Sequence, residues 1–549
     1  MAVEDLPAYD FHETDYDDYE ALRDEFAWQI PETFNTASYV CDRWASDTPD
    51  AVAVHERRDD VTTYTYADLQ REANQLANYL QEEGIGVGDR VAINAPQKIA
   101  PLVSMIATWK LGAVIVPLSV LFGHDGLSYR LTDADVSAFV VDEEAIDTYR
   151  EIADDVDVPT VITIDTPPAD GEVSYPEAIA DRSDTFETVE TAAEDEATII
   201  YTSGTTGDPK GVVHAHRYLL ANLAGYQLHV SNATLLEDDL FWSPVEWSWG
   251  ATLYVIVLPN MFYGESLLGY PRGGFQPETA LELIEEHDIT KFFAPATVLR
   301  MILQSDALDQ YDTSSVRVLA SGGESLDREV RRAVRDGFGD IPIHEAYGQT
   351  EALTTLLSCE RYFEAKPGMI GREAPGQEVA VLDPETQEPV EPGEIGEFAI
   401  PYEDNPVAFL EYLNKPDQTA EKVKDGWLLL EDLGWIDEDG YYGYHSRKDD
   451  VIISSGYRIS PAEIEESVLE HEAVANVAVI GVPDDVRGEI PKAFVQLADA
   501  VDPSSELKED LQEFVKANLA KYEYPRAIEF RDSLPTTTTG KIKRHELEE

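Results

Sequence analysis

A glycine- and hydroxyl-rich segment directly after a short apolar run constrains this chain most. The apolar residues Ala197–Ile200 predict a strand, and Tyr201-Thr-Ser-Gly-Thr-Thr-Gly-Asp-Pro-Lys210-Gly-Val-Val-His214 follows it. Glycine lets a backbone turn closely and expose its N–H groups, and Ser and Thr hydroxyls add donors. Such a loop suits a polyphosphate, although a cluster of this kind is more often an ordinary turn. The Walker pattern is excluded, because Pro209 precedes Lys210 and Gly211 follows it.

Composition bounds the class of protein. The chain has 549 residues, of which 43% are hydrophobic, so it is long enough for two or more globular domains. It carries 40 basic against 108 acidic side chains, a net charge of −68. That balance argues against nucleic acid or an anionic membrane as a partner, since both require a basic surface. The acidic residues are spread along the whole chain, which leads to the hypothesis of a halophilic protein in a salty cytoplasm.

Three features bear on the compartment. Cys41 and Cys359 are the only cysteines, too few for a disulfide scaffold, and are expected to be inert thiols. The N-terminus lacks the basic and apolar regions of a signal peptide. The longest apolar stretch, Ile99–Phe122, is interrupted by Lys110 and Gly112, so it predicts a core helix followed by a buried strand. We expect a cytoplasmic protein without membrane insertion.

Strand and helix patterns alternate through much of the chain. Residues Leu69–Leu80 have helical spacing between runs that are typical of strands. The predicted strands include Ala51–Val54, Val91–Asn94, Lys291–Ala294 and Val316–Ala320. This alternation predicts parallel strands with crossover helices. Ligands of such sheets bind beyond the carboxyl ends of strands, where Thr202-Ser-Gly and Ser321-Gly-Gly would lie.

The two ends of the chain differ from its middle. Residues 1–35 are acidic and aromatic and are expected to pack as an arm on the main body. Residues 378–400 predict short antiparallel strands, that is, a β-rich subdomain. After a charged, turn-like interruption at residues 446–450, the last segment predicts a small α+β domain, whose first helix opens with the capping box Ser460-Pro-Ala-Glu463. The expected domains are residues 1–448 and 449–549.

Six further motifs follow the glycine-rich segment. They are Gly323-Glu-Ser325, Tyr347-Gly-Gln-Thr-Glu351, Glu431-Asp-Leu-Gly434, Arg447-Lys-Asp449, Ser455-Gly-Tyr-Arg458 and Pro535-Thr-Thr-Thr-Thr-Gly-Lys541. With Ser203-Gly-Thr-Thr-Gly-Asp-Pro-Lys210-Gly211, this set resembles the acyl-adenylate-forming superfamily over essentially the whole chain, and most closely its medium-chain acyl-CoA synthetases. The resemblance implies an α/β fold: a large N-terminal domain of mixed α/β sheets, a β-rich subdomain and a small mobile α+β C-terminal domain.

The resemblance also implies a reaction. A carboxylic acid would attack the α-phosphate of ATP to give acyl-AMP and pyrophosphate, and the thiol of coenzyme A would then displace AMP. Mg²⁺ would assist, since it needs only one or two carboxylates besides phosphates. Residues 322–324 and the ring of Tyr347 would flank adenine. The implied ATP-binding residues are Thr202, Ser203, Gly204, Thr205, Thr206, Gly207, Lys210, Gly322, Gly323, Glu324, Tyr347, Gly348, Gln349, Thr350, Asp432, Arg447 and Lys541.

Within this set the resemblance assigns different roles. Lys541, Thr350 and Glu351 are the expected catalytic residues; Thr350 would contact the α-phosphate, and Glu351 would hold Mg²⁺. The ammonium of Lys541 would bridge the two reacting anions. Asp432 would accept the ribose hydroxyls, with help from Arg447. Without the resemblance, Lys541 is a surface lysine near a frayed terminus and Asp432 is a turn residue.

The thiol step is expected to involve the small domain. Asp449 matches the superfamily's hinge, where a rotation would move Lys541 away and bring in the opposite face of the domain. Arg458 and Arg487 are the candidates for contacts with the CoA phosphates, because guanidinium groups suit phosphate bidentately. Most exposed arginines, however, only increase solubility.

Acyl specificity would be set by the walls of the acid pocket. Acetate-using relatives carry Trp-Trp-Gln-Thr-Glu at the Tyr347 motif, and their second tryptophan closes the pocket. Gly348 stands there in this chain and would leave room for a longer acid. Trp247, Trp249 and Gly250 are expected at the far wall, where indoles could limit chain length, stack an aromatic acid or simply pack in the core. A medium-chain or branched fatty acid is favoured over an aromatic acid.

Other functions stay open. The acceptor could be a carrier-protein thiol, or the product could stop at acyl-AMP. No carrier domain is fused here, and Arg487-Gly-Glu-Ile-Pro-Lys-Ala-Phe494 resembles CoA-using members. The chain could also be a catalytically silent nucleotide-binding protein, which the joint presence of Glu351, Asp432 and Lys541 disfavours. The expected partners are small molecules, and a homo-oligomer stays open.

Overall fold

Strands and helices contribute similar numbers of residues to the regular structure between residues 52 and 530. The computed structural model describes residues 3–14, 16–202, 209–271, 274–305, 307–326, 328–448, 450–454, 457–484, 487–498, 501–519, 524–536 and 542–547. Their strands, in chain order, are β1 Val52–Arg57, β2 Val61–Thr65, β3 Arg90–Asn94, β4 Val114–Leu118, β5 Val136–Asp142, β6 Thr160–Ile164, β7 Glu172–Ser174, β8 Glu196–Thr202, β9 Lys210–Ala215, β10 Leu240–Trp242, β11 Ser266–Gly269, β12 Lys291–Phe293, β13 Val318–Gly322, β14 Ile343–Gln349, β15 Ala352–Leu357, β16 Arg372–Glu373, β17 Ala380–Leu382, β18 Gly396–Pro401, β19 Glu411–Tyr412, β20 Val423–Lys424, β21 Trp427–Ile436, β22 Tyr442–Arg447, β23 Ile452–Ser454, β24 Tyr457–Ile459, β25 Val474–Asp484, β26 Gly488–Leu497 and β27 Ala527–Phe530.

Helices connect and cover these strands. They are α1 Tyr19–Glu25, α2 Arg43–Asp47, α3 Tyr66–Glu82, α4 Ile99–Lys110, α5 His124–Asp133, α6 Ile146–Ile152, α7 Tyr175–Ile179, α8 Tyr218–Gly225, α9 Leu258–Phe262, α10 Pro277–His287, α11 Ala296–Gln304, α12 Arg328–Phe338, α13 Pro416–Lys422, α14 Pro461–Leu469 and α15 Ser505–Asn518. Within the described ranges, none of them combines the length and the apolar character that crossing a membrane requires. The predicted pair of a core helix and a buried strand is confirmed as α4 and β4.

Two large sheets form the body of the protein. One has the strand order β16-β15-β14-β13-β12-β10-β11-β1-β2, and the other β19-β9-β8-β4-β3-β5-β6-β7. Their central pairs are parallel, as the alternation of strands and helices predicted. One apolar cluster joins β1 of the first sheet, β3 of the second and helices α3, α4 and α8. Every residue of α4 is buried, as expected for a helix inside a large core.

The two glycine-containing segments predicted at strand ends lie in different sheets. Thr202 ends β8 of the second sheet, and Gly322 ends β13 of the first. The prediction of strand ends is therefore confirmed. Sequence alone did not indicate that the two segments follow strands of two different sheets.

The β-rich subdomain is a separate antiparallel sheet. Its order is β17-β18-β21-β20, with β22 paired to β21. The strands predicted in residues 378–400 are β17 and β18. Phe398, Leu428 and Tyr442 lie in its apolar cluster, which also includes residues of β15 and so connects this sheet to the body.

The C-terminal segment forms the fourth sheet with two helices. The order is β24-β23-β26-β25, with β27 parallel to β26, and α14 and α15 pack on it through a cluster that includes Ile464 and Leu511. Ser460 caps α14 by accepting from the Glu463 N–H, as predicted. The return bond of the capping box is not formed, because the Glu463 carboxylate instead contacts His445 Nδ1 at 3.2 Å.

The first residues do pack on the body as an arm. Phe11, Tyr19 and Leu22 share an apolar cluster with Leu228 and with Leu357 of β15. Cys41 and Cys359 are both buried and free, and burial raises the pKa of each thiol, which fits inert thiols.

Candidate active site

The glycine-rich segment lies between two antiparallel strands. Strands β8 and β9 are antiparallel, and Thr202 pairs with Lys210 where the hairpin closes. The predicted phosphate-binding residues Ser203–Gly207 lie outside the described residues. The ends of the loop are thus fixed at the edge where a ligand of this sheet is expected.

Tyr412 connects Lys210 to Glu351. Strand β19 pairs with β9, Tyr412 opposite Val212, which puts the tyrosine beside the hairpin. The Lys210 ammonium lies 4.9 Å from the centre of the Tyr412 ring, and the Tyr412 hydroxyl donates to Glu351 Oε1. Burial and the neighbouring carboxylate raise the pKa of the phenol. Two residues predicted from separate motifs therefore meet around a third that no motif indicated.

Asp432 is a buried carboxylate with several partners. Its Oδ2 accepts from the Tyr347 hydroxyl at 2.7 Å and from Gln349 Nε2. Arg447 pairs with Asp432 across β21 and β22, with its Nη1 3.6 Å from Oδ1. Burial raises the pKa of Asp432, and Arg447 and the two hydrogen bonds oppose that rise. The structure thus brings together three predicted ATP-binding residues and the arginine expected to assist them.

Lys422 adds a second cation to this region. Its ammonium lies 2.9 Å from Glu431 Oε2 and 3.4 Å from Gln349 Oε1, and the residue is only 4% exposed. Burial would raise the pKa of Glu431, but Lys422 and then Arg447 outweigh that effect and lower it. Glu431 therefore stays ionised beside Asp432.

Residues 322–324 lie where the first sheet ends. A Cβ on Gly322 would be 3.2 Å from the carbonyl oxygen of Ala346, so β13 and β14 approach closely here. Gly323 has φ +84°, a conformation that favours glycine. The Glu324 carboxylate accepts from the N–H and hydroxyl of Thr297 at the start of α11. The side chain of Glu324 is thereby held by Thr297. The backbone of Glu324 is then the part of this residue that is expected to flank adenine.

Tyr218 holds the turn between β14 and β15 through two hydrogen bonds. The Tyr218 hydroxyl donates to the Thr350 carbonyl at 2.9 Å and accepts from the Leu353 N–H at 3.1 Å. The ring of His214 stacks on Tyr218 at 3.9 Å, and burial lowers the pKa of His214 to about 3, so this imidazole is neutral. The position of Thr350 and Glu351 thus depends on a buried aromatic stack.

The predicted acyl-pocket residues lie near the end of β8. A Cβ on Gly250 would be 3.1 Å from Ile200 and 4.0 Å from the Thr350 methyl group. Trp249 is half-buried, with its ring 6.2 Å from that of Phe293. Trp247 is 5% exposed and belongs to the main core. Trp247 and Trp249 both pack in the main core, and Gly250 lies near Thr350; the place of these three residues in an acyl pocket stays a prediction.

Gly348 has a backbone role that the sequence did not indicate. The register of β14 and β15 shifts between Tyr347 and Gln349. A Cβ on Gly348 would lie 2.5 Å from the Thr354 nitrogen and 2.8 Å from the Ala352 oxygen. The space expected beside Gly348 for a longer acid is thus taken by the next strand. The place of Gly348 in an acyl pocket stays a prediction.

The remaining predicted residues belong to the C-terminal segment. Lys541 and Asp449 lie outside the described residues, as does the side chain of Arg458. Gly488 pairs with Ser454, so Arg487 lies near the hairpin that carries Arg458. Strand β23 lies between β24, which carries Arg458, and β26, which begins after Arg487, and the contact of both arginines with CoA stays a prediction.

The segment around Lys541 is held at both ends. Thr536 and Ile542 form an antiparallel bridge, and the Lys543 N–H donates to the Pro535 carbonyl at 2.9 Å. Arg544 then donates to both oxygens of Glu465, at 2.8 and 2.7 Å.

Among the described residues, no group of three or more His, Cys, Asp or Glu side chains could hold a metal by itself.

Sequence reasoning missed Tyr412, Lys422 and Tyr218. Tyr218 is a single aromatic residue four positions after a motif residue. Tyr412 lies 61 residues from Glu351, and Lys422 lies 9 residues from Glu431 and 73 from Gln349. Of the three residues, only Tyr218 lies within a few positions of a motif, which is the one sequence feature that could have indicated it.

Comparison with known proteins agrees with the motifs. The family model described as AMP-binding enzyme matches residues 41–402, and the model described as AMP-binding enzyme C-terminal domain matches residues 463–541. The chain is 34% identical over 494 residues to the uncharacterized acyl-CoA ligase YtcI of Bacillus subtilis (strain 168), covering 88% of this chain and 90% of that one. It is 30% identical to the mitochondrial acyl-coenzyme A synthetase ACSM3 of Homo sapiens, covering 97% and 92%.

Solved structures show the same similarity. The anthranilate CoA ligase AuaEII in complex with anthranoyl-AMP superposes with a TM-score of 0.86 at 27% identity, covering 94% of this chain and 97% of that one. The expected adenylate-forming fold is thereby confirmed. The chain belongs to the AMP-binding enzyme family, which confirms the resemblance to AMP-forming acyl-CoA synthetases that its motifs carry.

Proposed function

We propose that this enzyme joins a medium-chain or branched fatty acid to coenzyme A through an acyl-AMP intermediate, releasing AMP and pyrophosphate. The observation that carries this proposal is the environment of Asp432. A buried carboxylate receives two side-chain hydrogen bonds on Oδ2, while Oδ1 faces Arg447 at 3.6 Å. A rigid acceptor of this kind suits a ribose diol, since both hydroxyls can donate to it.

The reaction requires two anions to meet, and the site has groups that reduce their repulsion. A fatty carboxylate must approach the α-phosphate of ATP, whose negative charge opposes the attack. The residues of the loop after β8 and the Thr350 hydroxyl are assigned to the phosphates, and Lys210 is assigned mainly to the support of that loop. Lys541 is assigned to the gap between carboxylate and α-phosphate, where an ammonium stabilises the charge that develops during attack.

Glu351 is assigned to magnesium. Its Oε1 accepts from Tyr412, and its Oε2 receives no hydrogen bond from any described residue. The residue is 8% exposed, so this oxygen is sheltered but still available to a hard cation. When bound, Mg²⁺ would supply positive charge to the phosphates and so favour departure of pyrophosphate. The donor set fits, because this ion needs few protein ligands when phosphates complete its shell.

The thiol step is assigned to the C-terminal domain, residues 449–549. Its sheet and helices have an apolar cluster of their own, which supports a separate folding unit. Asp449 is the proposed hinge, and Arg458 and Arg487 are the proposed contacts for CoA phosphates. Coenzyme A is favoured over a carrier protein because named relatives over nearly the whole chain are acyl-CoA synthetases.

The identity of the acid is the most specific part of the proposal. The resemblance of the motifs to those of medium-chain acyl-CoA synthetases supports a medium-chain or branched acid. An aromatic acid is the second candidate, because Trp249 and Phe293 form an aromatic wall next to Gly250 and because AuaEII is an anthranilate ligase. The net charge of −68 supports a salt-rich cytoplasm as the place of action.

The deciding experiment measures AMP release with a panel of acids. Straight-chain acids from two to ten carbons, isovalerate, benzoate and anthranilate are supplied with ATP and Mg²⁺, with and without CoA. We expect CoA-dependent AMP release that is fastest with four to ten carbons. Preference for acetate or benzoate would overturn the proposed acid, and AMP release without CoA would overturn the acceptor. A lack of acid-dependent pyrophosphate exchange would remove the catalytic proposal altogether.

A further inference from the structure

One helix face concentrates positive charge in an otherwise strongly acidic protein. Helix α12 carries Arg328, Arg331, Arg332 and Arg335, at positions i, i+3, i+4 and i+7 of one face. The opposite face, Val330, Val334 and Phe338, is buried. Four of the 40 basic residues of the chain thus stand on a helix of 11 residues. Like charges four residues apart destabilise a helix, so this arginine face costs folding free energy unless an anion compensates for it.

The arginine face forms one wall of a cavity of about 490 Å³. The segment from Ala365 to Met369 also lines it, and Leu326, Pro367 and Met369 add apolar surface. The lining contains five cationic side chains and three carboxyls. None of the predicted ATP-binding residues that the structure describes lines it. The volume is in the range of pockets that enclose small organic ligands.

Two of the arginines, Arg331 and Arg335, are held by residues outside α12. Arg331 donates to the Ile343 carbonyl and lies 3.4 Å from Glu345 Oε2, and Arg335 pairs with Glu360. The Arg335 Nε is buried and has no hydrogen-bond partner among the described residues. Guanidinium groups held in this way are preorganised to bind a further acceptor bidentately.

The other two arginines, Arg328 and Arg332, make fewer contacts with acidic side chains. Arg328 makes no ion pair with a described residue, and the Nη2 of Arg332 lies 3.9 Å from Glu329, with its side chain 74% exposed. In the segment from Ala365 to Met369, Lys366 is already neutralised by Asp437 and Asp439, each at 2.7 Å. The unsatisfied positive charge of the cavity therefore belongs to α12.

We propose that this cavity is a second binding site, outside the catalytic centre, for an organic phosphate of nucleotide type. The phosphate would contact Arg328 and Arg332, and the apolar surface of Leu326 and Met369 would receive the organic part. Burial raises the pKa of Glu345 to about 7, against the opposing effect of Arg331. Because Glu345 is two residues from Tyr347 on β14, occupancy would reach the Asp432 cluster through that strand.

The test counts binding sites by calorimetric titration at constant high potassium chloride. AMP, adenosine 3′,5′-bisphosphate and inorganic phosphate are each titrated into the wild type and into R328Q/R332Q. R71Q/R182Q is the control, since it removes the same charge from another surface. We expect the wild type to bind one more organic phosphate per chain than R328Q/R332Q, with affinity at this site reduced at least about tenfold, because charge-assisted hydrogen bonds are lost.

Each outcome of the titrations either supports or overturns the proposed site. Tighter binding of AMP points to an adenylate as the natural source, and tighter binding of the bisphosphate points to a CoA derivative; both support the site. Phosphate bound as tightly as either overturns the organic class, and identical titrations in all three proteins overturn the site. R332A, at a largely exposed position, repeats the test if the double variant does not fold. A catalytic site that binds nothing would leave one site in the wild type and none in R328Q/R332Q, so the two proposals fail separately.

Discussion

The Tyr347 hydroxyl donates a 2.7 Å hydrogen bond to the Asp432 carboxylate, and this bond joins β14 of a large sheet to β21 of the β-rich subdomain. Gln349 donates to the same oxygen from two positions further along β14. The candidate nucleotide site is therefore built across two structural units, and its geometry depends on their relative position.

Substitution of Asp432 should weaken ATP binding. We expect D432A to raise the KM for ATP in pyrophosphate exchange by about tenfold to a hundredfold, because a buried charged acceptor and its hydrogen bonds are lost. Y347F should have a smaller effect in the same direction, since Gln349 still holds the carboxylate. Y444F is the matched control, with a ring 6.4 Å from Tyr347. An unchanged KM in D432A would refute the ribose assignment.

Glu351 should govern the requirement for magnesium. In E351Q the charged ligand becomes neutral at nearly the same volume, so we expect the Mg²⁺ concentration for half-maximal exchange to rise about tenfold or more. Y412F should shift it less, because Tyr412 only orients Glu351. The measurement is a magnesium titration at saturating ATP. A lower maximal rate with an unchanged magnesium requirement would instead indicate a structural role for Glu351.

Motifs predicted much of this site because they record residues that act together. Thr202 ends β8, as strand-end reasoning predicted, and Asp432 lies together with Tyr347, Gln349 and Arg447, residues of two other motifs. The identity of the sheets was not predictable, since β8 and β13 have similar local patterns yet belong to different sheets. Tyr412 was missed because β19 has two residues, too few for any periodicity, and pairs with a strand about 200 residues earlier.

Gly348 shows why side-chain size alone was a poor guide. Its residue type suggested open space, and that inference treated the neighbouring strand as distant. The structure has a register shift at this point, and Thr354 with φ +49° brings the β15 backbone against it. Such a shift depends on pairing between strands, which a single sequence does not specify.

Lys541 should be needed for only one half-reaction. We expect K541A to reduce acyl-AMP formation at least about a hundredfold, because the charge between two anions is lost. Thioester formation from supplied acyl-AMP should stay within a few-fold of the wild type. K543A is the matched control, two residues away in the same segment. Equal losses in both half-reactions would contradict the assignment of Lys541.

The ion pair between Arg544 and Glu465 should contribute to the stability of the C-terminal domain. The Glu465 side chain is 14% exposed and also accepts from the Val479 N–H at 2.7 Å. R544Q leaves that carboxylate without its partner, so we expect the free energy of unfolding to fall by on the order of 3 kcal/mol. The double variant R544L/E465L should be less destabilised than the sum of the single ones. Additive losses by denaturant unfolding would show that the two side chains do not act as a pair.

The charge of the chain should make its stability depend on salt. At a net charge of −68, carboxylates repel one another over the surface, and this repulsion is screened within about 10 Å at 0.1 M salt and within about 3 Å at 1 M. We therefore expect the melting temperature by circular dichroism to rise steadily between 0.1 and 3 M potassium chloride, and activity to follow it. Sucrose of matched osmolality is the control, since it stabilises by exclusion without screening charge. Because repulsion acts between carboxylates, a variant with ten exposed Asp or Glu residues changed to Asn or Gln should need less salt for the same melting temperature. A melting temperature that is equal at 0.1 and 3 M would contradict the halophilic hypothesis, and so would a neutralised variant with an unchanged salt requirement.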